Sequence, residues 1–130
     1  DPGSDGIRKA IQDSGLPSIE HLPRRTFIGL LKRVEVLIGN SSAGLLECAG
    51  MGIPVLDIGD RQDGRERGLN VVHSSCVTGP QFETALMETG NPERACVDPR
   101  FGDGHTGRRI AETLATIDFD QVPVRKRWHS

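Results

Sequence analysis

Two short apolar runs, residues 34–39 (VEVLIG) and 53–59 (IPVLDIG), give the strongest pattern in the chain. Both are rich in β-branched residues and bounded by glycine or proline, which is typical of buried parallel strands. Residues 42–51 lie between them and are long enough for one crossover helix. The pattern therefore predicts a βαβ unit with the usual right-handed connection.

The rest of the chain continues this alternation of helices and strands. Apolar residues recur at helical spacing in four further segments: residues 4–13, 24–33, 81–88 and 105–117. The last of these helices places Ile110, Leu114 and Ile117 on one face. Weaker strands are predicted at residues 18–22 (SIEHL), 70–76 (NVVHSSC) and 94–97 (RACV). The sequence thus predicts an α/β fold, a Rossmann-like doubly wound parallel sheet over residues 1–120, followed by a tail at 121–130.

Composition and charge exclude several classes of protein. The chain has 130 residues, of which 35% are hydrophobic and 26% charged, and its net charge is -2. No apolar run approaches the ~20 residues that span a bilayer, and the one basic cluster, residues 125–127, is typical of a solvated tail. We therefore expect neither a membrane nor a nucleic acid as partner. The chain does not begin with methionine, so we expect a piece of a longer protein.

Cysteines and histidines give no sign of a metal site. The 3 cysteines are far apart and odd in number, which argues against a disulfide framework and favours a reducing cytoplasm. The 4 histidines are too widely separated for a local zinc pair. His73, within a predicted strand, is expected to be a hydrogen-bonded buried or edge histidine rather than a catalyst. We expect no metal and no cofactor.

The loops that follow the predicted strands carry the polar residues of interest. Ligands of parallel sheets lie beyond the carboxyl ends of the strands. There, Ser41 or Ser42 can cap the crossover helix, whose first N–H groups form an anion site that phosphate commonly occupies. Glu47, farther along that helix, can accept hydrogen bonds from a ribose diol. Arginines of the next loop can clamp a diphosphate, namely Arg61, Arg65 and Arg67.

Each of these features alone has a simpler explanation, because capping serines, solvated glutamates and surface arginines are common. Their convergence from consecutive loops of one sheet favours a phosphorylated ligand, but it indicates no reaction. The motif GNSSAG lacks the spacing of a nucleophile elbow, and no Walker lysine follows the serines.

The string GNSSAGLLE, followed by GIPVLDIGDRQDGRERGLNVV, resembles the hydrolysing UDP-N-acetylglucosamine 2-epimerases. The flanking DPGS and FGDG resemble that family's motifs too. The resemblance implies a GT-B fold, of which this chain is the C-terminal domain, incomplete at its N-terminus. It also implies UDP-binding roles for five residues: the Leu22 backbone at the uracil, Ser41 and Ser42 at the diphosphate, Glu47 at the ribose, and Arg61 at the UDP moiety.

The family eliminates UDP from the sugar and adds water to the resulting glycal, which releases N-acetylmannosamine for sialic-acid-type sugar synthesis. The resemblance implies that the acid and base residues lie outside this chain, in a missing N-terminal domain, and that the chain alone is inactive. A UDP-2,4-diacetamido-trideoxy sugar is an alternative substrate, and a non-catalytic nucleotide-binding module is an alternative function. The sequence is compatible with assembly of the protein into a homo-oligomer. One departure from the family pattern is Asp60, which could weaken the clamp by pairing with Arg61.

Overall fold

The computed structural model describes residues 4–122 and divides the chain into two compact units, Asp1–Val34 and Glu35–Ser130. The first unit contains helix α1 (Ser4–Asp13) and helix α2 (Arg24–Leu31), close to their predicted positions. Residues 18–22 form no strand, so that prediction is wrong. The segment is largely exposed, with Ile19 65% exposed, and a strand without a neighbour has nothing to hydrogen-bond.

The second unit is built on three parallel strands in the order β1–β2–β3. Strand β1 is Leu37–Gly39, β2 is Val55–Ile58 and β3 is Val71–Ser74. The register pairs Leu37 with Val55, and Val55 with Val71. Strands β1 and β2 lie inside the two strongest predicted runs, and β3 lies inside the weaker run 70–76, although β1 starts later than the pattern suggested. The predicted α/β class with a parallel sheet is confirmed.

Helices cover both faces of this sheet. Leu56 and Val72 point to one face, where they form a core with Ala85 of helix α5 (Pro80–Thr89). Val55 points to the other face, because successive side chains of a strand alternate. Helix α3 (Ser42–Leu45) lies on that second face: a Cβ built on Gly44 would come 2.9 Å from Val55 Cγ1. Only glycine permits this close approach of α3 to β2.

The predicted single crossover helix is two short helices. α3 ends at Leu45, Leu46 interrupts the helical pattern, and α4 continues over Glu47–Met51. Glycines within the stretch lower its helix propensity, and the packing of Gly44 on Val55 constrains the first turn. Gly52, in the left-handed conformation at φ 68°, ends α4.

The strand predicted at residues 94–97 is absent. In its place the chain forms a 3₁₀ turn, Pro92–Arg94, an extended stretch, and a second 3₁₀ turn, Pro99–Phe101. The Asp98 N–H donates to Ala49 O of α4 at 3.1 Å. This contact holds the segment against the crossover helices, so it does not join the edge of the sheet.

The last helix, α6 (Thr106–Thr116), forms where the periodicity predicted it. Its apolar residues are nevertheless exposed: Ile110 is 54% exposed, Leu114 56% and the following Ile117 37%. The basic cluster at residues 125–127 and most of the predicted tail lie outside the described residues. Across residues 4–122, no helix combines the length and apolar character needed to cross a membrane.

A buried carboxylate joins two segments of the second unit. Asp98 is 1% exposed and accepts hydrogen bonds from the Leu69 N–H at 3.2 Å and from the Arg100 Nη2 at 2.7 Å. The hydrogen bond from the Arg100 side chain is the main reason that the pKa of Asp98 is lowered to about 2. The carboxylate therefore stays ionised at neutral pH and anchors the residues that lead into β3.

We expect Asp98→Asn to lower the free energy of unfolding at pH 7. Because the folded-state pKa lies below the unfolded value of ~3.9, this stabilisation is present above about pH 4. It is lost as pH falls through about 2. Urea unfolding of both proteins at several pH values measures the difference, which should narrow below pH ~4.

Asp103→Asn provides the matched control. Asp103 also pairs with an arginine, Arg109, and its pKa is lowered to about 2 mainly by the hydrogen bond from that side chain, but it is 45% exposed. Because water screens exposed pairs, Asp103→Asn should destabilise less. An equal loss in the two variants would contradict a special role for the buried Asp98.

Cys48 should resist alkylation in the folded protein. All 3 cysteines are free thiols, Cys48 is buried, and Cys76 and Cys96 are half-buried. Burial, together with the charge of Glu47, raises the pKa of the Cys48 thiol to about 11. Iodoacetamide at pH 8 followed by peptide mass spectrometry should label Cys76 and Cys96 first. Unfolding in urea should abolish the difference, and rapid native labelling of Cys48 would contradict its burial.

Candidate functional site

The loops after β1 and β2 begin side by side at one edge of the sheet. Gly39, the last residue of β1, is in register with Asp57 near the end of β2. Asn40 and Ser41 follow directly, and Gly59 turns the chain after β2 with φ 72°, a conformation that favours glycine. The predicted meeting of these two loops at the carboxyl edge is thus present.

Ser41 caps helix α3, as the sequence predicted for Ser41 or Ser42. Its Oγ accepts a hydrogen bond from the Ala43 N–H at 3.3 Å, and its carbonyl accepts one from the Gly44 N–H at 3.0 Å. These two N–H groups of the first turn are therefore engaged within the turn itself. The Ser41 hydroxyl still has a proton to donate, because only its lone pair is used in the cap.

The break at Leu46 changes the predicted electrostatics of the crossover. A helix of four residues has a smaller dipole than the single long helix that the sequence suggested. Of the first-turn N–H groups that the sequence predicted to be free for an anion, those of Ala43 and Gly44 are instead hydrogen-bonded within the turn.

Ser42 and Glu47 each begin a short helix, α3 and α4 respectively. Both residues are half-buried, so neither is enclosed by core side chains. The structure places both in the crossover that follows β1, as the sequence predicted. Leu22, also half-buried, belongs to the other compact unit, just before α2.

The arginines of the loop after β2 take different roles. Arg67 is directed inward: its Nε and Nη2 each lie 2.9 Å from Oδ2 of the buried Asp57, and its Nη2 lies 3.3 Å from Asp63. Burial alone would lower the pKa of Arg67, but the hydrogen bonds to the two carboxylates outweigh it and raise that pKa. The sequence-based suggestion that Arg67 could clamp a ligand is therefore wrong, because its guanidinium stabilises the loop.

Arg61 and Arg65, by contrast, are exposed. Within residues 4–122, Arg61 forms no ion pair, so Asp60 does not neutralise it as the sequence had suggested it could. Arg65 lines an open surface pocket together with four other residues: Leu45, Leu46, Glu66 and Phe101. Because Arg61 is exposed and forms no ion pair within residues 4–122, its guanidinium is accessible to a ligand.

A buried glutamine joins the two loops. Gln62 is 3% exposed, and its Nε2 donates to the Asn40 carbonyl oxygen at 2.7 Å. Asn40 directly precedes Ser41, and Gln62 directly follows Arg61. This contact brings the predicted serine and arginine groups into one region of the surface. Sequence reasoning missed it, since an amide in a polar loop gives no signal of burial.

His73 is held at the edge of the described sheet, as predicted. Its Nδ1 lies 3.4 Å from Asp57 Oδ2 and its Nε2 lies 3.2 Å from Ser75 Oγ. The carboxylate of Asp57 beside this ring was not predicted from the sequence. The signal was present in the sequence, because Asp57 is a charged residue inside an apolar strand and such residues are buried only with partners.

One arrangement of ligand atoms could in principle hold a cation. Asp60, Asp63 and His73 each offer a metal-ligating atom, all within 4.8 Å of one another, and all three residues are exposed. The Arg67 guanidinium lies 3.3 Å from Asp63 and 3.4 Å from His73. Because this positive charge already occupies the cluster and opposes a second cation, we assign no metal to it.

Comparison with known proteins agrees with the motifs. A model of the UDP-N-acetylglucosamine 2-epimerase family matches residues 2–115. The chain is 36% identical over 97% of its length to the UDP-N,N'-diacetylbacillosamine 2-epimerase (hydrolyzing) of Legionella pneumophila, covering 34% of that protein. It is 31% identical over 78% of its length to the UDP-N-acetylglucosamine 2-epimerase of Neisseria meningitidis, covering 28% of it.

The chain therefore spans about a third of the length of these relatives. The match of the family model extends across the sheet, the crossover helices and the arginine loop, and thus includes every residue of the edge described above. The chain belongs to the UDP-N-acetylglucosamine 2-epimerase family.

Proposed function

We propose that this chain is the UDP-binding, C-terminal domain of a longer hydrolysing UDP-N-acetylglucosamine 2-epimerase with a GT-B fold. The observation that carries the proposal is the junction of the two loops at the sheet edge. The hydrogen bond between Gln62 and Asn40 joins the loop that carries the two serines to the loop that carries the exposed Arg61. Hydroxyl donors beside an exposed arginine suit a diphosphate, which offers several acceptor oxygens and a negative charge.

Each predicted residue then has a defined contact. Ser41 and Ser42 donate hydroxyl hydrogen bonds to the diphosphate, and Arg61 donates charge-assisted hydrogen bonds to it. Glu47 accepts hydrogen bonds from the ribose diol. The Leu22 backbone contacts the uracil, a role that rests on the family resemblance alone.

This domain would contribute to the reaction by stabilising the leaving group. In the elimination step, the bond between the anomeric carbon and the UDP oxygen breaks, and negative charge develops on the diphosphate. Pre-positioned donors that bind this charge lower the barrier. Removal of the C2 proton requires a separate base, which we place in the missing N-terminal domain. The chain alone would accordingly bind UDP without turnover.

Two sugars fit the proposal. The family description names UDP-N-acetylglucosamine. For this substrate we propose N-acetylmannosamine and UDP as products, in sialic-acid-type sugar synthesis. The Legionella relative, which the chain matches over 97% of its length, is named for the diacetylated sugar UDP-N,N'-diacetylbacillosamine. That similarity makes UDP-N,N'-diacetylbacillosamine the principal alternative to UDP-N-acetylglucosamine as substrate. A non-catalytic nucleotide-binding module is the alternative from another class.

The remaining features of the proposal follow from its substrate. UDP-sugars are made and used in the cytoplasm, where we place the protein. The site needs neither metal nor cofactor, because arginine and hydroxyl donors supply the charge stabilisation. We propose a small-molecule UDP-sugar as its ligand.

We expect Glu47→Ala and Arg61→Ala each to weaken UDP binding by about 1–3 kcal/mol, because each leaves a charged hydrogen bond unmade. Isothermal titration calorimetry of the chain with UDP measures both changes. Arg108→Ala and Glu112→Ala, which alter the same residue types in the exposed helix α6, are matched controls and should leave the affinity unchanged. Cys48→Ser should also leave it unchanged while reducing stability.

Unchanged UDP affinity in both Glu47→Ala and Arg61→Ala would contradict the assignment of these two residues to the UDP site. Equal weakening in the α6 controls would show that net charge, and not the site, determines binding.

The reaction itself requires the longer protein. Incubation of that protein with UDP-N-acetylglucosamine and with UDP-N,N'-diacetylbacillosamine should release UDP together with a free 2-epimerised sugar from one of them. The faster substrate, measured as kcat/KM, decides between the two sugars. Binding of UDP without sugar release from either substrate would favour the non-catalytic module.

A further inference from the structure

The Gln62 side chain is unusually placed for a residue in a loop rich in charged groups. Loops run over protein surfaces, and their amide side chains are mostly exposed. Gln62 lies between the exposed residues Arg61 and Asp63, yet it is 3% exposed. Its burial therefore needs a reason beyond the general packing of the loop.

The orientation of its amide group follows from chemistry. The Asn40 carbonyl can only accept a hydrogen bond, so the atom of Gln62 that lies 2.7 Å from it must be the nitrogen. The other atom, Oε1, is then directed elsewhere. Among the residues that the structure describes, it is buried without a hydrogen-bond partner. A buried acceptor without a partner destabilises the fold, so packing alone does not explain this glutamine.

The two ends of this hydrogen bond belong to the two halves of the proposed diphosphate site. Asn40 is the residue before Ser41, and Gln62 is the residue after Arg61. Each loop leaves its strand through a glycine with positive φ, Gly39 at 151° and Gly59 at 72°. Glycines allow many backbone conformations, so the strands by themselves do not determine where the loops lie. The hydrogen bond from Gln62 supplies that constraint.

Backbone contacts extend the constraint to the whole arginine loop. The Gln62 carbonyl accepts a hydrogen bond from the Arg65 N–H at 3.2 Å, and the Asp63 N–H donates to Asp60 O at 3.0 Å. The 3₁₀ turn Asp60–Gln62 is therefore a compact unit with Gln62 as its buried end. Movement of the Gln62 side chain would move the backbone that carries Arg61.

We propose that Gln62 is a positioning residue that sets the distance between the serine hydroxyls and the Arg61 guanidinium. It contacts no ligand in this proposal and acts through the Asn40 carbonyl. The proposal rests on the proposed UDP site, and it adds a determinant of affinity that lies beneath the residues at the surface. Pre-organised donors bind more tightly because no ordering is left to occur on binding.

The test compares two substitutions of similar shape. Gln62→Met fills the same space and removes the donor, whereas Gln62→Glu replaces the donor by an acceptor that faces the Asn40 carbonyl. Calorimetry of the folded chain should show UDP affinity about 3- to 10-fold weaker in Gln62→Met, the range expected for one lost hydrogen bond. Gln62→Glu should be weaker still. Gln12→Met, on the exposed helix α1, is the matched control and should bind as the parent does.

A double-mutant cycle separates positioning from general destabilisation. If Gln62 acts by placing Arg61 against the serines, then Gln62→Met should weaken binding much less in the Arg61→Ala background than in the parent. A purely structural role would give equal fold-changes in the two backgrounds. Urea unfolding of each variant establishes that the protein measured is folded.

The outcomes are distinct for the two proposals. A folded parent chain that does not bind UDP overturns the proposed function and this inference with it. A parent that binds UDP, and that Arg61→Ala weakens, supports the proposed function. In that case, unchanged affinity in Gln62→Met overturns the inference alone. Equal fold-changes in the cycle, or loss of cooperative unfolding in both Gln62 variants, also overturn it, since the role would then be structural.

Discussion

Two buried carboxylates hold the long segment between β2 and β3, and the candidate site depends on them. Asp57 pairs with Arg67, and Asp98 accepts hydrogen bonds from the Leu69 N–H and from Arg100. An ionised carboxylate is costly to bury unless charged partners and hydrogen bonds compensate for lost water. The partners therefore have little freedom to move, and the end of the segment that precedes β3 is held by both carboxylates, through Arg67 and Leu69.

This arrangement explains how one loop contains arginines with opposite roles. Arg67 is drawn inward because Asp57, at the end of a buried strand, needs a cation. Arg61 has no such partner within the described part of the chain and stays exposed. The residue type is the same, so the difference comes from which carboxylates the fold places nearby. Exposed arginines and a paired, structural arginine thus occur within one short stretch.

Under the proposed function, this division of the arginines has a purpose. A diphosphate that leaves a sugar carries increasing charge, and groups that stabilise it must already be in place. A loop with no regular secondary structure beyond one 3₁₀ turn would not by itself hold a guanidinium in position. Ion pairing of Arg67 near the end of the loop and the buried Gln62 amide near its start provide the rigidity that the local sequence does not. The site is in this sense an extension of the polar interior of the sheet.

Sequence patterns predicted the three parallel strands, because β-branched runs bounded by glycine and proline have few alternatives. They failed for residues 18–22 and 94–97, where short apolar stretches were assigned to strands. A strand needs a neighbour with free hydrogen-bonding groups, and only tertiary structure supplies one. The prediction of a single crossover helix was wrong for a related reason. The close packing of Gly44 on Val55 is a tertiary contact, and the periodicity of apolar residues carries no information about it.

By itself, the sequence determined the fold class, the family, and the loops at which polar residues would gather, since these depend on local pattern and on motifs. Tertiary structure alone decided which arginine is exposed, which carboxylates are buried, and that Gln62 joins the two loops. Those outcomes depend on contacts between residues far apart in the chain. Burial and pairing of charge are properties of such contacts and cannot be read from neighbouring positions.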